Sequence, residues 1–344
     1  MHRSRAAFTL AALVAALSGC AGIINNNPDF RWFLFSHYGA DRICPDMLKR
    51  SVPVRLQDRA PAVGRFFPTS CNVSINDRGR VIVVSIGGTG YGYVQPARRV
   101  GFAVTGSVEY RPDFVIAGDD TYLWAKVNRV VDGPHFQAGY MENPIMDAMG
   151  NLPPFGNIAN FLGNQAVSGV MTQGFTVIHN DSRGDDFTIG IINPPQRPQH
   201  PFQINSDDRL TFANETTDVQ ANQRDFLGPF EVAKQGQALF LSTTVQGTAV
   251  NVVVVTKTVG DAWREAYQTG RPSSAAPGPV LYTNAVNAGA VDTRRYNVPP
   301  GLYYIVIDNP GASGLGALLT PLNPLNIGGG GGLARVSYVA QLAN

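Results

Sequence analysis

From Val100 to Tyr110 the sequence alternates: Val100, Phe102, Val104, Val108 and Tyr110 fall on one side, with Ala103, Thr105, Ser107 and Glu109 on the other. Successive side chains of an extended backbone point to opposite faces, so a period of two means a strand with one buried face. The pattern recurs along most of the chain. Val81 to Ile86 is a β-branched run that the glycines from Gly87 to Gly92 are expected to end, and Tyr122 to Val131, Phe175 to His179 and Phe187 to Ile192 follow. Further on, Ala238 to Val245, Ala249 to Thr256, Leu302 to Asp308 and Ala334 to Val339 are apolar or alternating runs bounded by turn residues. Charged residues make up only 15% of the chain, while 37 glycines and 24 prolines supply turns. That balance favours many short strands over long surface helices.

Two segments carry helical spacing instead. Between Asn157 and Gln173, Ile158, Phe161, Leu162, Ala166 and Val170 recur at intervals of three and four, with Asn160, Asn164, Gln165 and Ser168 facing away. A shorter helix from Asp261 to Gln268 is expected to cross between two strands. The fold class that follows is mainly β: an N-terminal curved antiparallel sheet with one packed amphipathic helix, then a C-terminal β-sandwich of jelly-roll type. The proline-rich stretch from Asn193 to Arg209 denies helix and central strand alike. The expected boundaries are therefore a first domain over 31–195, a linker over 196–209 and a sandwich over 210–344. Gly328 to Gly332 reads as a flexible loop, because a phosphate-gripping loop would need a following Lys-Ser or Lys-Thr and a helix.

The chain opens with Arg3 and Arg5 followed by an apolar run from Ala6 to Leu17. That run is too short to cross a bilayer, which takes roughly 20 residues of helix, and has the length of a signal-peptide core. Leu17-Ser18-Gly19-Cys20 resembles the bacterial lipoprotein box. The resemblance implies removal of residues 1–19 and attachment of a lipid, palmitate among its acyl chains, to Cys20. Ala21, standing where an aspartate would favour inner-membrane retention, implies the outer membrane by the same family's rule. Residues 20–30, with Asn25-Asn26-Asn27-Pro28, read as a lipidated polar tether. No later stretch has 18 or more apolar residues, so the lipid would be the anchor to the membrane. With Cys20 so committed, Cys44 and Cys71 remain, and an oxidising envelope would join them. A free metal or redox pair is the weaker reading, since neither lies in a C-x-x-C spacing.

Two further resemblances bear on fold. Val298 to Pro310, with Pro300-Gly301-Leu302-Tyr303-Tyr304, is similar to a turn and strand of bacterial pre-peptidase C-terminal and related jelly-roll modules. Those modules imply protein or carbohydrate binding without chemistry of their own. The order of long strands, one helix and the returning segment from Gly174 to Ile192 resembles the tubular lipid-binding superfamily, in which a helix and a bent sheet enclose an apolar groove.

Nothing in the sequence assembles a reaction centre. Gly311-Ala312-Ser313-Gly314-Leu315 lacks the final glycine of a nucleophile elbow, and His37, His135, His179 and His200 stand singly. The acidic doublets Asp119-Asp120, Asp185-Asp186 and Asp207-Asp208 lack the repeated spacing of a calcium loop and read as turn residues. Arg183-Gly184-Asp185 and the Asn-x-Ser/Thr matches at Asn72, Asn180 and Asn214 read as chance matches. A net charge of +2 gives no concentrated basic face for nucleic acid, and Arg98-Arg99 and Arg294-Arg295 read as solvated strand ends. No catalytic residue, metal or cofactor is expected. The expected function is a non-catalytic envelope binding or structural lipoprotein facing a protein or glycan. The alternative is a carrier holding lipid or another hydrophobic ligand beneath the helix of residues 157–173.

Overall fold

The alternating runs form two strand systems. The structure, a computed structural model, describes residues 21–57, 60–145, 173–180, 184–204, 209–271, 275–289, 291–311 and 332–343. The first system is a curled seven-stranded sheet of Val52–Val54 (β1), Gly64–Asn76 (β2), Val81–Val94 (β3), Arg98–Ala117 (β4), Asp120–Met141 (β5), Phe175–Asn180 (β6) and Gly184–Ile189 (β7). The strands lie in sequence order, each antiparallel to the next. Val100, Phe102, Val104, Val108 and Tyr110 are buried as the alternation requires.

The glycines from Gly87 to Gly92 do not end β3, which continues to Val94. A Cβ at Gly88 would lie 2.7 Å from the Phe66 ring, and one at Gly90 would lie 2.6 Å from the Phe102 ring. The backbone carbonyls of Phe67 and Arg65 lie closer still, at 2.3 and 2.5 Å, so glycine inside the strand marks close approach of backbone and rings rather than a turn.

The second system is a sandwich of eight strands: Leu210–Val219 (β8), Gln223–Val232 (β9), Ala238–Gly247 (β10), Val250–Thr256 (β11), Tyr282–Val286 (β12), Val291–Tyr296 (β13), Gly301–Asn309 (β14) and Ala334–Ala343 (β15). One sheet runs β13-β10-β15-β8 and the other β12-β11-β14-β9. Counted from the first strand of the sandwich these orders are 6-3-8-1 and 5-4-7-2, the paired Greek keys of a jelly roll. The inner faces form one apolar cluster that includes Leu227, Leu241, Val252, Ile305, Val336 and Tyr338. Lys257–Gln268 is a helix in the connection between β11 and β12. It starts four residues earlier than the sequence pattern indicates.

The N-terminal segment departs from expectation. Ala21–Asn26 (α1) is helical, not a free tether, and its Ile24 is 1% exposed. Pro28–Leu34 (α2) follows, then a wider π turn over Phe35–Gly39, then Ala40–Leu48 (α3). The helix between β11 and β12 is accordingly α4. The start of α2 has local causes: the Asn27 side chain accepts the Phe30 backbone N–H at 3.0 Å, Pro28 opens the helix and Asp29 sits in its first turn. Trp32, Phe35, Ile43 and Met47 then pack on the apolar face of the curled sheet against Val84, Val104 and Tyr110. Among the described residues, the helices on this face of the sheet are those of the N-terminal segment. Ile158, Phe161, Leu162, Ala166 and Val170, expected to form such a helix, lie outside the described residues.

Both faces of the curled sheet are covered, as adjacent residues of β2 show. Phe66 joins the cluster under α2 and α3, whereas Phe67 joins Tyr91, Phe226, Trp263, Tyr267 and Tyr304 on the side of the jelly roll. The approach on that second side is backbone to backbone. A Cβ at Gly101 in β4 would lie 1.7 Å from the Gln268 carbonyl oxygen at the end of α4.

Candidate functional site

The most charged part of the interior is the seam between sheet and sandwich. Arg65 projects from β2 into an otherwise apolar layer and donates from Nε and Nη2 to the two Asp225 carboxylate oxygens at 2.8 and 3.1 Å. Both side chains are 3% exposed. Arg65 Nη2 also reaches Glu215 at 3.2 Å and the Tyr338 hydroxyl, and Tyr338 in turn donates to Glu215 at 2.7 Å. The Tyr91 hydroxyl donates to Asp225 at 2.8 Å and accepts the Phe226 N–H at 2.7 Å. Two carboxylates, one guanidinium and two phenols therefore join β2 and β3 to β8, β9 and β15. A buried charge set is tolerated only with such complete pairing.

Burial pushes the Glu215 carboxyl up, but Arg65, with Arg55 and the Tyr338 hydroxyl, outweighs it and holds the group below the ordinary glutamate range. Asp185 and Asp186 are lowered in the same way, burial being overcome by His179 and Arg50 for the first and by His200 and Arg197 for the second. A carboxylate with a depressed folded-state pKa contributes stability that is complete above its unfolded value and is lost as pH falls through the folded one. Asp308 runs the other way, since burial outweighs Arg224 and raises it. With Glu109, which Arg129 and Asn128 also lower, four lowered carboxylates against one raised set the sign. Urea midpoints should stay level from pH 7 to about 5 and drop below about pH 4; a midpoint that climbs on acidification would contradict this assignment.

Beside the network lies a small solvent-connected crevice of about 10 Å3, lined by Val63, Tyr91, Arg99, Gln223, Arg224 and Tyr267 among others. Arg99, expected to be a solvated strand end, is instead only partly exposed. Its guanidinium carbon stands 4.2 Å from the Tyr267 ring centroid and 5.2 Å from that of Tyr140. Arg98 is exposed as expected, and so are Arg294 and Arg295.

The N-terminal segment forms a second distinctive region. Cys44 of α3 and Cys71 of β2 are joined in a disulfide with their Cα atoms 5.3 Å apart, as the sequence analysis anticipates. Asn25 donates to the Ile116 carbonyl at 2.8 Å and accepts the Ile116 N–H at 3.0 Å, while Arg31 grips Asp113 with two bonds at 2.7 and 3.1 Å. The segment is thus fixed to β4 by polar contacts and to β2 by a covalent one. Its opposite face is bare: Phe30, Phe33 and Tyr38 are exposed.

No known family matches this chain. No curated protein matches it either. Among solved structures, one described as "Structure of infectious bursal disease virus Gt strain" matches at 11% identity over 86% of this chain and 69% of that chain, with a TM-score of 0.19. So slight a likeness carries no argument, and the site is read from its own residues.

Two acidic doublets, far apart in sequence, meet. Arg197 bonds Asp120 and also reaches Asp186 at 3.4 Å, and His200 stands 3.3 Å from Asp186. His179 pairs with Asp185 at 2.6 Å, and Asn180 donates to Asp120 at 2.8 Å. These residues stitch the proline-rich stretch and β7 to the turn between β4 and β5. His135 pairs with Asp132 at 2.9 Å, far from that cluster in the sheet. Among the described residues no group of three or more His, Cys, Asp or Glu side chains is arranged to hold a metal. Asp207 and Asp208, and Cys20 itself, lie outside the described residues. Trp32, Phe35, Ile43 and Met47 cover part of the apolar face of the curled sheet; the helix expected to cover a carrier groove lies outside the described residues.

Sequence reasoning missed Arg65, Glu215, Asp225 and the helical segment. Asn27-Pro28-Asp29 is a helix-start signal that the asparagine run conceals. Arg65 is the single charged residue of β2, which is the one trace of its pairing; Asp225 stands beside Arg224 in β9 and carries no such mark.

Proposed function

We propose that the chain is an outer-membrane lipoprotein, acylated at Cys20, whose body acts as a non-catalytic binding or structural protein of the cell envelope. The observation that carries this reading is the Cys44–Cys71 disulfide. The chain has three cysteines, so this bond consumes both thiols after Cys20 and leaves the lipobox cysteine without an intramolecular disulfide partner. A disulfide between a helix and a strand also fits an oxidising compartment better than a reducing one. The jelly roll gives the body a scaffold of a kind that commonly presents binding surfaces through its loops. Such a surface would meet envelope protein or glycan, and the likeness of residues 298–310 to pre-peptidase C-terminal modules supports the same class.

Mass spectrometry of protein extracted from membranes tests the assignment. The N-terminal peptide should begin at Cys20 and carry acyl mass, and Cys20→Ala should abolish that modification and release the protein from the membrane fraction. An unmodified N-terminus starting elsewhere would sink the reading.

A further inference from the structure

The outward face of the N-terminal segment carries a row of exposed rings. Its rings form a continuous line: the centroids of Phe30 and Phe33 are 6.3 Å apart in a stacked pair, and those of Phe33 and His37 are 4.3 Å apart. Ile23 is 67% exposed and Tyr38 52%. Of the thirteen large hydrophobic side chains exposed among the described residues, five (Ile23, Phe30, Phe33, Tyr38 and Leu48) lie in this one segment, including three of the four aromatic ones. The remainder, such as Ile75, Val130 and Val291, are dispersed over several strands and loops. Scattered exposed apolar residues are ordinary, but a contiguous set marks a surface that something covers.

Position in the chain identifies what covers it. Ala21, the first described residue, lies in helix α1 and follows Cys20 directly in the sequence. The buried Ile24 and the paired Asn25–Ile116 hydrogen bonds hold α1 on the sheet, so the body is fixed within four or five residues of Cys20 in the sequence. Phe30 and Phe33 follow Cys20 by only 10 and 13 residues in the sequence, a stretch that even fully extended spans at most about 45 Å. Tyrosine, with an apolar ring and a polar edge, is taken up readily by the headgroup layer, and phenylalanine belongs to the apolar face of helices that lie in the interface.

We propose that this aromatic face is a membrane-interface surface, seated in the headgroup layer of the same leaflet that holds the lipid on Cys20. The lipid and the rings together fix the orientation of the body on the bilayer. The curled sheet then lies above α2 and α3, and the jelly roll projects away from the membrane on the sheet's other side. This inference rests on the acylation at Cys20 proposed above.

The test uses the full acylated protein, extracted from membranes and reconstituted into phosphatidylethanolamine–phosphatidylglycerol vesicles with brominated acyl chains. Phe33→Trp and Tyr38→Trp are each compared with Val291→Trp in β13, a position 66% exposed on the jelly roll. Emission from Trp32, Trp124 and Trp263 is subtracted with the unsubstituted chain. The added emission of both N-terminal variants should shift to the blue and lose at least about half its intensity to bromine quenching, while that of Val291→Trp stays unchanged. Quenching no greater than that of Val291→Trp, in a sample whose intact mass carries the lipid, overturns the inference and leaves the lipoprotein reading standing. A sample without lipid on Cys20 removes the reading itself, and the inference with it. A blue shift that appears only in native envelopes, without bromine quenching, identifies a protein partner on this face and likewise overturns the proposal.

Discussion

Arg65→Ala should lower the stability of the folded chain by about 3–5 kcal/mol, the cost of leaving buried carboxylates without their counter-charge. The size follows from the surroundings. Asp225 would keep the Tyr91 hydroxyl and Glu215 the Tyr338 hydroxyl, but neither would face a cation at hydrogen-bonding distance from Arg65's position, and Asp225 has almost no access to water. Arg65→Lys retains the charge but not the two-pronged geometry that engages both Asp225 oxygens, so it should recover part of the loss. The control is Arg335→Ala. Arg335 makes a two-bond pair with Asp218 at 2.8 and 2.9 Å, yet the arginine is 46% exposed, and its removal should cost about 1 kcal/mol or less. Urea denaturation followed by tryptophan emission reads both, because Trp263 sits in the aromatic layer of the seam. Equal losses for Arg65→Ala and Arg335→Ala would show that the network contributes nothing beyond a surface pair.

Paired replacement of Cys44 and Cys71 by serine should cost about 3.5 kcal/mol on the chain-entropy relation for a loop of this length, since the bond joins positions 27 apart. The loss should be local at first. α3 is held on β2 by Ile43, Met47 and the disulfide, whereas α1 and the start of α2 have their own hold through Asn25–Ile116 and Arg31–Asp113. Hydrogen exchange in the double variant should therefore accelerate over Ala40–Leu48 before it changes over Ala21–Leu34. Uniform acceleration across residues 21–48 would mean that the segment opens as one unit and that the polar contacts do not divide it.

How much could be read from sequence depended on whether the signal was local. Val100 to Tyr110 and Val250 to Thr256 announce strands because burial on one face, or on both, writes a pattern over consecutive residues. The disulfide was legible by elimination once Cys20 was set aside. The glycines of β3 misled because the rings that cover them, Phe66 and Phe102, come from neighbouring strands. The tether misled for a similar reason: Ile24 is one apolar residue among polar ones, and its burial depends on the distant β4. Arg65, Glu215, Asp225 and Tyr338 are spread over more than 270 positions and meet only when the sheet and the sandwich close on each other. No window along the chain contains them together.

The placement of β15 has a consequence for how the molecule is made. It lies between β8 and β10 in the middle of its sheet, and its register with β8 matches Leu342 to Leu210. Strands so distant along the chain must close a long loop before any contact rewards them, which makes such topologies slow to form. Until that late strand arrives, β8 and β10 have no partner between them and the sheet stands open. Loss of β15 would therefore unpair β8 and β10 together and split the sheet in two, so the whole sandwich closes through this one strand.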